Sequence, residues 1–308
     1  MATEPILAAL DVSAVQGRRV ARSYALFDYW ELTKPEINFL IAITVAAGFW
    51  IGSPAAPPPF PWMPFIHTVL GTVFVASGAA TLNQLIERQY DAQMRRTARR
   101  PLASGRIAPS HALWFGVLLS VFAVVYLAIS TNALTSLLAA LTLLSYLFLY
   151  TPLKRITPLC TLVGAVPGAA PPLIGWAAAR GRLDPAAWVL FAIVFLWQFP
   201  HFMSIAWMYR EDYGRAGILM LPVVEPDGRV TAQQLVVYTL MLLPVSLLPT
   251  VMGMSGRIYF VGAIVLGLLF LYSSLRAAFS MSRQQARRLL LASVLYLPLL
   301  FLLMVLDS

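Results

Sequence analysis

Pro64-Phe-Ile-His67-Thr-Val-Leu-Gly-Thr-Val-Phe-Val-Ala-Ser-Gly-Ala-Ala-Thr-Leu-Asn83-Gln-Leu-Ile86 is 23 residues long and carries no charged side chain. As a helix rising about 1.5 Å per residue it reaches about 34 Å, enough to cross a hydrocarbon layer about 30 Å thick. No water satisfies backbone polar groups there, so the segment is expected to span a bilayer as a helix. Eight further stretches read the same way, near 36–52, 111–130, 134–151, 158–178, 186–208, 233–253, 258–276 and 289–306. The ten-residue alternation of a membrane β-barrel is absent. The expected fold is all-α: a polytopic membrane protein of nine transmembrane helices.

Composition agrees. Of 308 residues, 59% are hydrophobic and 11% charged, and the mean hydropathy is +0.76. A soluble domain carries about a quarter charged residues, so an ordinary soluble enzyme and a disordered chain are both excluded. Cys160 is the single cysteine and closes no intrachain bridge.

The net charge of +9 points to topology rather than to nucleic acid. Nine spans put the termini on opposite sides, and the N-terminal side then holds 19 of the 22 Lys and Arg residues; Arg180, Arg182 and Arg257 lie opposite. The positive-inside rule makes the N-terminus cytoplasmic. Residues 1–30 lack the apolar core and small-residue cleavage site of a signal peptide, and are expected to form a cytoplasmic tail. Residues 31–308 then form one nine-helix domain, with cytoplasmic loops near 87–110 and 209–232.

Thirteen carboxylates are few enough to inspect singly, and six cluster in those two loops. The first cluster reads Asn83-x3-Glu87-x3-Asp91, followed by Arg95, Arg96, Arg99 and Arg100. Spacing of i, i+4, i+8 stacks the three oxygen-bearing side chains on one helix face. Such a face suits Mg²⁺, which takes one or two carboxylates and shares its remaining positions with water and phosphate. Guanidinium groups grip phosphate or carboxylate in a planar fork. The alternative is a helix end laced with ion pairs and topology anchors; against it, Glu87 and Asp91 are a like-charge pair that repels unless a cation intervenes.

The second cluster runs Trp197-Gln198-Phe-Pro200-His201-Phe202 and then Tyr209-Arg210-Glu211-Asp212-Tyr213-Gly-Arg215-Ala216-Gly217. His201 and Asp212 lie toward the same side as the first cluster, and Pro200 is expected to distort its helix. His201 reads equally as a functional group or as a hydrogen-bonded structural one. His67 and His111 read as structural.

These residues resemble the UbiA-type intramembrane prenyltransferases. The strings Asn83-x3-Glu87-x3-Asp91 and Arg96-Thr97-x2-Arg100-Pro101-Leu102 are similar to that family's first signature. Glu87 at the middle position, Pro200-His201-Phe202, Tyr209-x2-Asp212-Tyr213, Met220-Leu221-Pro222, Tyr150-Thr151-Pro152-Leu153-Lys154-Arg155 and Pro171-Pro172-x2-Gly175-Trp176 look like its heme-farnesylating branch. The resemblance covers the chain from about Trp30 onward. It implies nine helices around a central cavity, in the bacterial inner membrane with the active site facing the cytoplasm. It also implies Mg²⁺ as cofactor, farnesyl diphosphate and heme B as substrates, and a heme A synthase or oxidase assembly factors as partners. By that resemblance Asn83, Glu87, Asp91 and Asp212 hold the metal, and His201 joins them as a catalytic residue. Arg95, Arg96, Arg99, Arg100, Lys154, Arg155, Tyr209, Arg210 and Tyr213 bind substrate. Two departures stand out: Tyr209 and Tyr213 replace aspartates of the generic second motif, and Cys160 stands near where the branch has Asn. Cys160 reads as a small buried residue. A quinone precursor or chlorophyllide is the alternative acceptor. A transporter is disfavoured, since ionisable groups collect at one membrane surface instead of the midplane.

Overall fold

The computed structural model describes residues 26–53 and 59–308; most of the expected N-terminal tail lies outside the described residues. Among them are nine helices long and apolar enough to cross a membrane. They are α1 (Pro35–Gly52), α2 (Trp62–Asp91), α3 (Pro109–Ser130), α4 (Ala133–Leu153), α5 (Cys160–Arg180), α6 (Pro185–Met208), α7 (Arg229–Val251), α8 (Arg257–Ser280) and α9 (Arg283–Leu306). Every span expected from the sequence is present, and two differences in the ends bear on function. Helix α2 continues five residues past Ile86, so Asn83, Glu87 and Asp91 ride on one unbroken helix. Helix α9 starts at Arg283 rather than near 289, because Ser282 caps it by accepting from the Gln285 backbone N–H at 3.3 Å.

Helices α5 and α6 form the centre. Two-thirds of each is buried, against 22–39% of the other spans. Their enclosure depends on small residues. A Cβ on Gly175 of α5 would stand 2.1 Å from the Val45 carbonyl oxygen of α1, and one on Gly48 would stand 2.3 Å from the Pro172 carbonyl oxygen. Helices α1 and α5 thus touch backbone to backbone, the usual way to gain dispersion contact where lipid removes the hydrophobic drive for helix association. Helix α5 is interrupted at Ala170, before the Pro171-Pro172 pair that starts its second half.

Helix α6 continues through Pro200 without ending there. Ser204 Oγ donates to the Pro200 carbonyl at 2.6 Å, and Gln198 Nε2 donates across to Ala165 of α5 at 2.8 Å. The surrounding helices hold the proline in register. Irregularity falls on α4 instead, where Ser145–Tyr150 is a π-helical stretch. Its extra residue per turn rotates Thr151 and Lys154 toward α2, and Thr151 Oγ1 bonds the Tyr146 carbonyl at 2.9 Å. Single π-turns inside α-helices often mark functional sites.

Candidate active site

The N-terminal end of α1, the C-terminal ends of α2, α4 and α6, and the start of α9 share one end of the bundle, as alternation of direction requires. Asn83, Glu87 and Asp91 are all buried there, at 1%, 9% and 1% exposure. Each meets a cation or a donor from elsewhere in the chain. Asn83 Oδ1 accepts from Lys34 Nζ at 3.1 Å, and its Nδ2 donates to Thr151 Oγ1 at 3.2 Å. Glu87 pairs with Lys154 at 2.7 Å. Asp91 pairs with Arg100 at 2.8 Å through Oδ2. Its other oxygen, Oδ1, is buried without a hydrogen-bond partner. Thr97 Oγ1 donates to the Asp91 carbonyl at 2.8 Å and folds the arginine-bearing loop back over the helix end.

Charge is gathered here at considerable cost in desolvation. Burial, and next the Arg100 guanidinium, bring the Lys34 ammonium down to about 7. Burial also opposes charge on Lys154, but the Tyr150 oxygen and the Glu87 carboxylate hold it well above the usual lysine range. Lys34 has φ 52°, a left-handed conformation that a side chain bearing Cβ rarely adopts. Strain of this kind persists where the surroundings over-determine it, and collects at working sites. Lys34 did not stand out as a site residue in the sequence, and Thr151 did so only as part of the Tyr150–Arg155 string. Lys-Pro at a helix start is a local signal for Lys34; for Thr151 the string marks the position, but its reach to Asn83 depends on the π-turn of α4.

Arg96 ties the two clusters together. It donates to Tyr213 Oη at 3.0 Å and lies 4.9 Å from the Tyr209 ring centre and 5.3 Å from that of Tyr213. The two tyrosines therefore form an aromatic seat for a guanidinium. Arg155 lies over the Tyr90 ring at 4.2 Å and donates to its hydroxyl. Arg210 lies 4.5 Å from the Trp207 ring. Arg95 and Arg99 are exposed. Arg106 clamps the loop from outside, reaching Asp28 at 3.2 Å, Glu31 at 2.9 Å and the Arg99 carbonyl at 2.9 Å.

Asp212 and His201 stand apart from the carboxylate face. Asp212 is buried but paired with Arg215, one turn along its own short helix Arg210–Arg215. No group of three or more His, Cys, Asp or Glu side chains converges among the described residues, so the expected ligand set is not assembled around one point: Glu87 and Asp91 face Lys154 and Arg100, and Asp212 faces Arg215. His201 stacks on Trp197 with ring centres 4.9 Å apart, and its Nδ1 lies 2.8 Å from Ser293 Oγ of α9. Ser293 Oγ also donates to the Leu290 carbonyl at 2.6 Å, an arrangement in which Nδ1–H donates to Ser293 and all three groups are satisfied. Cys160 is fully buried beside Met220, as expected of a small packing residue, and His67 bonds Tyr126 at 2.5 Å.

A carboxylate oxygen left without a donor, on a face that also offers Glu87 and Asn83, fits a hard divalent cation. Arg100, Lys154 and Lys34, arrayed beside that face, fit a diphosphate. Residues 41–304 match the UbiA prenyltransferase family. The chain belongs to this family.

Curated UbiA relatives share most of its length. A protoheme IX farnesyltransferase from Solibacter usitatus (strain Ellin6076) is 55% identical over 289 residues, covering 91% of this chain and 98% of the relative. One from Koribacter versatilis (strain Ellin345) is 49% identical, covering 92% and 93%. Solved structures of the same fold include a digeranylgeranylglyceryl phosphate synthase (TM-score 0.74, 17% identity, covering 92% of this chain and 98% of that one). A UbiA homolog from Archaeoglobus fulgidus bound to GPP and Mg²⁺ has TM-score 0.61 and 17% identity, covering 90% and 99%.

Proposed function

We propose that this UbiA-family chain transfers the farnesyl group of farnesyl diphosphate to a vinyl group of heme B, giving heme O. The observation that carries this reading is the 55% identity, over nearly the whole of both chains, to a protein named protoheme IX farnesyltransferase. The strings Pro200-His201-Phe202 and Tyr209-x2-Asp212-Tyr213 support the heme acceptor over a quinone precursor or chlorophyllide.

In the reaction the C–O bond of the allylic diphosphate breaks with both electrons leaving on oxygen. The farnesyl carbon bonds to the vinyl group, and water adds a hydroxyl to the resulting cation and loses a proton. Asn83, Glu87 and Asp91 are the proposed Mg²⁺ ligands, and Asp212, which pairs with Arg215 apart from that face, is the further ligand proposed. Bound there, the ion supplies Lewis-acid neutralisation of the leaving diphosphate. Arg96, Arg100 and Lys154 hold the diphosphate oxygens in place, and Lys34 joins them once a dianion restores its charge. These positive groups are fixed before the reaction begins, which is what makes such stabilisation effective. The apolar walls of α5 and α6 keep water from the allylic cation until the new bond has formed.

Residues 31–308 act as one domain in this reading, set in the bacterial inner membrane with its N-terminus and site on the cytoplasmic side. The 19-to-3 division of cationic residues supports that orientation. Hand-off to a heme A synthase or to oxidase assembly factors follows from the product. The decisive experiment incubates purified protein with heme B, farnesyl diphosphate and Mg²⁺ and looks for heme O by mass. Asp91→Asn is expected to be folded and silent. No product with heme, but a prenylated product with a hydroxybenzoate, overturns the assignment.

A further inference from the structure

Residues 26–32 form a short helix just before α1, and it turns its apolar side outward. Leu26, Phe27 and Trp30 are 74%, 62% and 60% exposed, and spacing of i, i+1 and i+4 puts them on one face. The opposite face is fixed to the protein. Leu32 is fully buried in a cluster with Leu102, Ile107 and Ala112. Its carbonyl accepts from Gln84 Nε2 at 2.9 Å, and Tyr29 meets the Phe115 ring edge-on at 5.1 Å. A helix held so firmly from one side, with three large apolar side chains on the other, presents a docking face.

Its surroundings specify the occupant. Ile37 and Phe39, in the first turns of α1, are exposed as well, as lipid-facing positions of a spanning helix are. The apolar face therefore lies where the chain enters the bilayer, on the cytoplasmic side in the orientation proposed above. Between Asp11 and Asp28 the sequence holds Arg18, Arg19 and Arg22 and no carboxylate. Leu, Phe and Trp on one face, next to a run of arginine, suit the headgroup layer of an anionic membrane.

The same helix grips the loop that carries Arg96 and Arg100. Arg106 Nε reaches the buried Asp28 at 3.2 Å, and its Nη2 reaches Glu31 at 2.9 Å. Nη2 also donates to the Arg99 carbonyl at 2.9 Å. One guanidinium thus ties helix 26–32 to the backbone between the two arginines. We propose that Leu26, Phe27 and Trp30 seat this helix in the headgroup layer of an anionic bilayer, and that Arg106 passes the docking on to the arginine loop. Arg106 is a positioning residue: it fixes where Arg96 and Arg100 stand. The docking is independent of the reaction; its effect on diphosphate affinity rests on the functional reading given above.

The test places single copies of the full-length protein in phosphatidylcholine nanodiscs, with and without phosphatidylglycerol. A nitroxide on Phe27→Cys, in a Cys160→Ala background, is expected to collide with dissolved oxygen rather than with a water-soluble nickel chelate. It should sit deeper where phosphatidylglycerol is present. Hydrogen exchange of residues 95–106 in the unaltered protein should be slower in the anionic discs. Arg106→Ala, and separately Leu26→Ser/Phe27→Ser/Trp30→Ser, should speed that exchange about tenfold or more, the scale of a lost charge-assisted contact. Both should weaken farnesyl diphosphate binding about fivefold, raising KM more than they lower kcat, and Arg106→Lys should recover part of the loss. A nitroxide in water in both kinds of disc overturns the docking without any change to Arg106. A label shielded in micelle dimers but not in single-copy discs assigns the face to a second copy and overturns it too. A docked helix whose Arg106→Ala variant leaves loop exchange unchanged overturns the positioning role. If the loop responds as stated but the unaltered protein binds no farnesyl diphosphate, the functional reading falls and the docking stands.

Discussion

Lys154 and Glu87 form the most enclosed ion pair of the site, at 2.7 Å with side chains only 14% and 11% exposed. Lys154→Met leaves the Glu87 carboxylate buried, with Lys34 and Arg100 as its remaining nearby cations. Removing one member of a buried pair costs about 3–5 kcal/mol. Both groups keep slight solvent contact and other cations stand near, so the lower end, about 3 kcal/mol, is the expected loss. Glu87→Gln should cost a comparable amount by stranding Lys154. Joined in one chain, the two substitutions leave no unpaired charge, and the double variant should regain most of the loss, giving a coupling energy of about 2 kcal/mol or more. Activity should not return with stability, because the double variant lacks a proposed metal ligand and a proposed diphosphate cation. The assay is equilibrium unfolding in mixed micelles for the four proteins, alongside heme O formation. Coupling below about 0.5 kcal/mol would mean that the pair is solvated and the site open. A double variant that turns over normally would refute the proposed role of both residues.

Other expectations follow from single positions. Lys34→Gly should be more stable than Lys34→Ala by about 1–2 kcal/mol, because only glycine takes φ 52° without strain; both should bind isoprenyl diphosphate poorly, as isothermal titration would record. Gly175→Ala should lower stability by about 1–3 kcal/mol or more, since the new methyl meets the Val45 carbonyl and the Phe49 backbone nitrogen, neither of which can rotate aside; thermal unfolding in detergent measures it. His201→Ala should lose activity, and Ser293→Ala should lose part of it by freeing the imidazole ring from its 2.8 Å contact; heme absorbance distinguishes a lost ligand contact from a lost proton-transfer group.

Much of this architecture is legible in the sequence because a bilayer imposes one rule on every segment. Nine apolar runs have to be nine helices, and scarce carboxylates become conspicuous against them. Asn83, Glu87 and Asp91 were identified by spacing alone, and α2 presents them on one face. Gly175 was recognisable as part of a motif, yet its reason is visible only in three dimensions, where it lets α1 and α5 touch. Pro200 shows the limit of a local rule: proline removes one backbone donor, yet α6 runs on past it among its packed neighbours. Long-range partners were the least readable. Nothing near Lys34 announces Asn83, 49 residues away, and Thr151 reaches the same side chain only because α4 changes pitch just before it.

The cations around the carboxylate face explain how this site can exist before a metal or diphosphate arrives. Glu87 and Asp91 repel each other at i, i+4, and burying them unpaired would strain α2. Lys154 and Arg100 neutralise them, but both are also the groups proposed to hold diphosphate. If a divalent ion takes the carboxylates, these two side chains are released toward the incoming anion. Metal and diphosphate should therefore bind with positive coupling, each lowering the cost of the other. On the proposed assignment the resting ion pairs are a stored form of the binding site, and their exchange for metal and phosphate would tie substrate capture to cofactor capture.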